Sequence, residues 1–140
     1  MLSPGALVAS RYRVEAMVGR GGAATVYRVL HVALGVPLAL KVLDLPATRQ
    51  RFIREGQILA QLRHPHIVRV HDFVHLDGHP GLLMEFVPSD LQRRLLSGPP
   101  PVDEVLRLGG QIIEAVAAAH DIVWPWRCLL LITLARPRHA

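Results

Sequence analysis

Residues 18–27 of this chain read VGRGGAATVY. Before them, Tyr12 to Gly19 alternates between apolar and polar residues, and after them Thr25 to Leu30 is rich in β-branched and aromatic residues. Both patterns are typical of strands, and a cluster of small residues between two strands favours a tight turn. The stretch therefore predicts a β-hairpin with a glycine-rich loop at its tip. Because glycine has no β-carbon, the backbone N–H groups of such a loop can approach phosphate oxygens.

The pattern beyond this hairpin predicts three more strands and three helices, which together indicate an α+β fold. They are a strand over Leu38–Leu43, a helix from Thr48 to His64-Pro65, strands over Ile67–His75 and Leu82–Val87 around a turn at Asp77–Gly81, a helix capped by Ser89 and ending at Leu96, and a long helix over Asp103–His120. The predicted inner stripes are Phe52, Glu55, Leu59 and Leu62 on the first helix, and Val105, Leu108, Ile112 and Val116 on the last. Gly56 costs the first helix about 1 kcal/mol relative to alanine, so packing must supply its stability.

Composition narrows the class of protein. A chain of 140 residues with 51% hydrophobic and 19% charged residues predicts a globular segment and not a disordered one. The net charge of +5 comes from scattered arginines with few aromatic neighbours, which favours an arginine-rich surface over nucleic-acid binding. The single cysteine, Cys128, excludes an internal disulfide and fits a reducing compartment. We expect a cytoplasmic protein, because the chain shows neither a signal-peptide pattern nor the ~20 apolar residues of a membrane span.

Lys41 is the only lysine among 16 lysine and arginine residues, and it lies in the third predicted strand. An ammonium is a compact point charge that can sit between a phosphate and a carboxylate, where a planar guanidinium would not fit. The glycine-rich loop offers a place for the phosphate. Glu55, on the inner stripe of the next helix, offers the carboxylate. The sequence therefore predicts a Lys41–Glu55 ion pair that points the ammonium at a phosphate.

Five motifs in this order resemble the amino-terminal lobe of a protein kinase, and more narrowly that of a bacterial serine/threonine kinase of the eukaryotic-like type. They are residues 18–27 as glycine-rich loop, Ala39-Leu40-Lys41 on the third strand, Arg54-Glu55 on the helix, His64-Pro65-His66-Ile67-Val68 after it, and Leu83-Met84-Glu85-Phe86-Val87 as hinge. The resemblance implies a five-stranded antiparallel sheet plus one helix, followed by the first helices of the carboxy-terminal lobe. It implies an N-terminal tail at 1–10, lobe and hinge at 11–88, two carboxy-terminal-lobe helices at 89–120, and a tail unlike a kinase at 121–140.

The resemblance also implies residue roles. Lys41 would contact the α- and β-phosphates of ATP, with Glu55 as its ion-pair partner. Val26 and Ala39 would enclose the adenine, and Met84 would be the gatekeeper beside it. The implied ATP-binding residues are Val18, Gly19, Arg20, Gly21, Gly22, Ala23, Ala24, Val26, Ala39, Lys41, Met84, and the backbones of Glu85 and Val87. Ala24 departs from the family pattern, which usually has a third glycine there, and should stiffen the loop.

The catalytic motifs of the family, H-R-D-x-x-x-x-N and D-F-G, do not occur in this chain. Trp124-Pro125-Trp126 stands where His-Arg-Asp is expected, and an indole can neither accept a proton nor bind magnesium. We therefore expect an ATP-binding lobe whose parent activity is serine/threonine phosphorylation, with the magnesium ligands of the family missing, and inactive as this isolated chain. The composition of the tail favours a change of reading frame near residue 121, and a short pseudokinase with a docking tail is the alternative.

Several other interpretations stay open. The glycines also fit the G-x-G-x-x-A dinucleotide pattern, with Asp44 placed to bind a ribose, although that pattern requires a helix directly after the glycines. Glu55 could instead pair with Arg51, four residues earlier on the helix. The histidines between His64 and His79 suggest a metal site, but they fall on different elements and no cysteine lies near them. A noncatalytic module that binds nucleotide or a partner kinase is the alternative to an enzyme that acts on a protein substrate.

Overall fold

The computed structural model of the chain describes residues 1–44, 49–76 and 78–122, with side chains up to residue 120. Within these ranges the chain forms β1 (Leu7–Val8), β2 (Tyr12–Arg20), β3 (Ala24–His31), β4 (Val36–Leu43), α1 (Arg49–Gln61), β5 (Val70–Leu76), β6 (His79–Glu85), α2 (Leu91–Leu95) and α3 (Val102–Ile122). Among these described helices, none combines the length and the apolar character needed to cross a membrane.

The strands form one antiparallel sheet in the order β1-β2-β3-β4-β6-β5. Helix α1 leads from β4 to the edge strand β5, and β6 then returns between them. The predicted α+β class, an antiparallel sheet plus one helix, is confirmed. The described sheet has six strands instead of the predicted five, because Leu7 and Val8 pair with Arg13 and Tyr12. A strand of two residues is too short to show the alternation from which strands are predicted.

The sheet curls so that β2 and β5 meet, although three strands lie between them in the sheet. The Tyr12 hydroxyl donates to Oδ2 of Asp72 at 3.1 Å, and the Arg11 guanidinium donates to the same oxygen at 3.1 Å. The other carboxylate oxygen accepts the N–H of Phe73 at 2.8 Å. Burial, and next the hydrogen bond to Asp72, raise the pKa of the Tyr12 hydroxyl.

The chain divides into two compact units, one made of residues Met1–Ala60 and Arg69–Phe86, the other of Gln61–Val68 and the residues from Val87 onward. The first unit contains the sheet. Its hydrophobic core lies on one face of that sheet and consists of Val8, Tyr12, Val14, Tyr27, Val29, Leu38, Leu40, Val42, Val74 and Leu83. Because side chains alternate along a strand, the residues between these core positions point to the opposite face.

Helix α1 packs on that opposite face. Phe52 and Leu59 are buried as predicted, and Glu55 on the same stripe is half-buried. Gly56 is buried against β6, where a β-carbon at Gly56 would lie 2.7 Å from Cδ2 of Leu82. This close contact explains the glycine in mid-helix. The helix begins at Arg49, and its predicted start at Thr48 lies outside the described residues.

The strands whose boundaries differ most from the prediction are β5 and β6. Strand β5 begins at Val70 and not at Ile67. Ile67 and Val68 are buried apolar residues, as strand residues often are, but they lie in the turn segment before the strand. The sixth spans His79–Glu85, so it starts within the predicted turn and ends before Val87. Pro80 is tolerated because β6 pairs with β4 only from Gly81 onward, so its missing N–H interrupts no bond on that side.

The second unit corrects two helix predictions. Asp90 and not Ser89 caps α2, since its carboxylate accepts the N–H of Arg93 at 2.7 Å. On α3 the predicted buried stripe is wrong at Val105, which is 50% exposed, whereas Leu108 and Ala115 are buried. These two residues are seven apart, which is two turns of helix, so they lie on the same face. The predicted stripe contained only large apolar residues and therefore left out Ala115. The Arg94 guanidinium binds both carboxylate oxygens of Glu104, at 2.9 and 2.7 Å.

Candidate nucleotide-binding site

Four predicted site residues lie together on the sheet face opposite the core. In the pairing of β3 with β4, Val26 is opposite Lys41, and in the pairing of β4 with β6, Ala39 is opposite Met84. Each of the four is next to a core residue in its strand, so by alternation their side chains point to the same face as helix α1. The structure thus brings together two apolar side chains, the predicted gatekeeper and the ammonium, on three adjacent strands.

The glycine-rich loop connects β2 and β3 beside this face. Gly21, Gly22 and Ala23 form its tip, and the N–H of Gly21 donates to the carbonyl of Ala24 at 2.9 Å. A register irregularity between Met17 and Gly19 precedes the tip.

None of the three loop glycines is required by the fold. None has a positive φ, a β-carbon at Gly19 or Gly22 would have no atom within 4 Å, and one at Gly21 would meet only a carbonyl oxygen at 3.7 Å. Gly56, by contrast, is needed for packing. The open space beside the loop backbone is what a ligand requires if its phosphates are to contact N–H groups.

The end of the loop is tied to the end of β4. Oγ1 of Thr25 donates to Oδ2 of Asp44 at 2.8 Å, and the N–H of Asp44 donates to the carbonyl of Ala23 at 2.9 Å. The sequence did not predict these contacts. The dinucleotide interpretation fails here, because the glycines lead into strand β3 and not into a helix, and the Asp44 carboxylate is bonded to Thr25.

The predicted Lys41–Glu55 ion pair is not formed in this structure. Glu55 accepts from the Arg51 guanidinium at 3.0 Å, the local pairing of residues four apart on a helix. The Lys41 ammonium lies 5.9 Å from the centre of the Phe52 ring, one turn of α1 before Gly56. Within the described residues Lys41 takes part in no salt bridge. Glu55 pairs with Arg51 because both residues lie on α1, one turn apart. A pair with Lys41 would also require a particular position of α1 over the sheet.

The hinge residues have well-defined environments. Met84 is buried, and the N–H of Glu85 donates to the carbonyl of Arg69 at 2.9 Å. Any contact of Glu85 with an adenine edge would therefore use another backbone atom. The Arg28 guanidinium lies over the ring of Phe86, with 5.1 Å to its centre. Val87 is half-buried and lies in the second unit.

In the part of the chain that the structure describes, no three His, Cys, Asp or Glu side chains cluster as the ligands of a metal ion would. Two of the histidines have partners of other kinds. In the second unit, Nε2 of His66 lies 3.5 Å from Oε2 of Glu114. In the first unit, Nδ1 of His79 lies 2.9 Å from the carbonyl oxygen of Leu43. Trp126 and the tail from 123 lie outside the described residues.

Comparison with known proteins identifies the family. The sequence model of the protein kinase domain matches residues 12–124. The serine/threonine-protein kinase pkn2 of Myxococcus xanthus is 41% identical over 128 residues, which cover 86% of this chain and 15% of that protein. PknL of Mycobacterium tuberculosis is 38% identical over 122 residues, which cover 82% of this chain and 31% of that protein.

A solved structure gives the same result. A crystal structure of the Mycobacterium tuberculosis PknI kinase domain matches with a TM-score of 0.71 and 34% identity, over 86% of this chain and 52% of that one. The chain therefore belongs to the protein kinase family. It matches the part of bacterial serine/threonine kinase domains that contains the amino-terminal lobe, and it spans less than a third of the length of either relative.

Proposed function

We propose that this chain binds ATP on the face of its sheet that carries Lys41. The observation that supports this most directly is the combination of an ammonium on β4 with a neighbouring loop whose glycines face open space. Lys41 and backbone N–H groups of the loop other than that of Gly21, which is bonded to the Ala24 carbonyl, would hold the phosphates. Val26 and Ala39 would enclose the adenine, with Met84 at its edge. The predicted lobe at 11–88 would be the nucleotide-binding part, and 89–120 the start of the second lobe.

The parent reaction would be transfer of the γ-phosphoryl group of ATP to the hydroxyl of a protein serine or threonine. In that reaction an amino-terminal lobe positions the phosphates, whereas the base and the magnesium ligands lie on the other lobe. Lys41 would contribute positive charge and orientation, and no described residue would take the hydroxyl proton. We therefore propose that the 140-residue chain by itself binds ATP weakly, with a Kd no tighter than about 1 mM, and does not transfer phosphate.

Because Lys41 is the only lysine in the sequence, it can be labelled selectively. An acyl phosphate derivative of ATP acylates an amine beside its phosphates: the amine attacks the acyl carbon, the bond to the phosphate oxygen breaks, and ATP leaves. We expect Lys41 to be acylated faster than the α-amine of Met1, with protection by excess ATP. Acetyl phosphate, which lacks the nucleotide, is the control reagent, and the ratio of Lys41 to Met1 labelling should be lower with it than with the ATP derivative. The same ratio with both reagents, or no protection by ATP, would contradict ATP binding at this face.

A matched variant separates binding from folding. Gly19→Val adds a side chain where the structure has open space, so urea unfolding should change little while ATP protection of Lys41 is lost. If protection persists in this variant, the phosphates do not lie against the loop.

A noncatalytic interaction module is the second candidate. The Glu55–Arg51 pair favours it, since Glu55 is then not available to orient Lys41. Its partner would be a kinase domain bound through the sheet and α1. Two assays distinguish the candidates. Transfer from radiolabelled ATP to a protein substrate that depends on Lys41 supports the enzyme, whereas binding of a kinase domain to this chain supports the module.

A further inference from the structure

We propose that Thr25 and Asp44 are positioning residues that fix the glycine-rich loop relative to Lys41. Their role in nucleotide binding rests on the proposed function, but their effect on the loop can be measured without nucleotide.

The two residues connect the end of the loop to the end of β4. Thr25, the second residue of β3, is 1% exposed and donates its hydroxyl proton to Asp44 at 2.8 Å. Asp44 immediately follows β4 and donates its N–H to the carbonyl of Ala23 at 2.9 Å. Asp44 thus binds both Ala23, the last residue of the loop tip, and Thr25 in the strand that follows the loop.

The identity of Thr25 indicates that the hydroxyl matters. Valine has nearly the same shape and would fill the same buried space without a polar group, so packing by itself would favour valine there. A buried hydroxyl is tolerated where it is hydrogen-bonded, and the Asp44 carboxylate supplies that bond. The Thr25–Asp44 hydrogen bond therefore explains a polar residue at a buried position.

The position of Asp44 explains what the bond controls. Lys41 lies three residues earlier in the same stretch of chain, so the segment that carries the ammonium also holds the loop. A polyphosphate can contact both only if their spacing is kept. Gly21 and Gly22 give the loop tip large conformational freedom, and the two bonds to Asp44 limit it.

Hydrogen exchange measured by NMR on the 140-residue chain without nucleotide tests this role. Thr25→Val removes the donor at constant shape, while Thr25→Ser and Asp44→Asn keep a donor or an acceptor oxygen. We expect the amides of Gly21 and Asp44 to exchange about tenfold faster in Thr25→Val, since one hydrogen bond to a charged group is lost. The amides of Leu40 and Leu83, in the central strands, should be unchanged, and both conservative variants should resemble the wild type.

Two results would overturn the positioning role: unchanged exchange at Gly21 and Asp44, or an equal rise at Leu40 and Leu83, which would show a general loss of stability. If Thr25→Val does not fold, Asp44→Ala compared with Asp44→Asn provides the same test. An ATP titration of each folded variant follows, in which Thr25→Val should bind more weakly than Thr25→Ser. If wild-type chain binds no ATP while exchange responds as expected, the proposed function fails and the positioning of the loop stands.

Discussion

Replacing Gly56 with alanine would force helix α1 against strand β6. The added β-carbon would lie 2.7 Å from Cδ2, 3.1 Å from Cδ1 and 3.3 Å from Cγ of Leu82. Because all three branch atoms are too close, rotating one methyl group cannot relieve the contact. Leu82 is 2% exposed, so its side chain cannot turn out into solvent without moving its neighbours. The helix would have to rise from the sheet, or the core beside Leu82 would have to repack.

Two opposing effects set the magnitude. Alanine is favoured over glycine inside a helix by about 1 kcal/mol. Adding a methyl group to a packed core costs about 1 to 3 kcal/mol. The expected result is a net destabilisation of about 1 kcal/mol. Gly110→Ala on α3 is the matched control, since its β-carbon would have no atom within 4 Å, and it should stabilise its helix by up to about 1 kcal/mol.

Urea unfolding followed through NMR signals of α1 and α3 measures both variants. We expect the unfolding midpoint of α1 to fall in Gly56→Ala and that of α3 to rise in Gly110→Ala. Trimming Leu82 to valine in the Gly56→Ala background should recover part of the loss, as contacting residues are coupled. If Gly56→Ala stabilises α1 as much as Gly110→Ala stabilises α3, the close packing of α1 on β6 is refuted.

Two other predictions concern polar contacts. Asp90→Ala should destabilise α2 by about 1 kcal/mol in urea unfolding, because the cap of the Arg93 N–H is lost, while Ser89→Ala should have almost no effect; the reverse order would contradict the observed cap. Tyr12→Phe should cost about 1 kcal/mol at pH 7 through loss of the bond to Asp72. The pKa of Tyr12 is raised in the folded state, so this contribution is present below pH ~10 and is lost as the pH rises through the folded pKa. The free energies of unfolding of wild type and Tyr12→Phe should therefore converge at high pH. A difference that persists there would refute the role of the Tyr12 hydroxyl.

The local part of the site could be predicted from the sequence. Short sequence patterns predict the glycine-rich loop and the strand that carries Lys41. The loop is a cluster of small residues between two strand-like stretches, and the strand is an apolar run with one lysine. Strand alternation also suffices to place Val26, Ala39 and Lys41 on one face once the strands pair. The order of these motifs was enough to predict the family, and the comparisons confirm it.

The partners of the charged groups could not be predicted in the same way. The sequence offered Glu55 two candidate partners, Arg51 and Lys41. Which of them it contacts depends on how α1 lies on the sheet, which the contact of Gly56 with Leu82 helps to set. The boundaries of β5 were also misjudged, because a buried apolar run such as Ile67-Val68 has the same composition in a turn segment as in a strand.

The sequence by itself determined the order of the elements, the loop and the face that bears Lys41, because these depend on the periodicity of neighbouring residues. Only the tertiary structure decided the contacts between residues far apart in the chain, such as Tyr12 with Asp72 and Thr25 with Asp44. Such contacts depend on strand order, register and curl, which arise from the packing of the whole sheet and leave no local pattern.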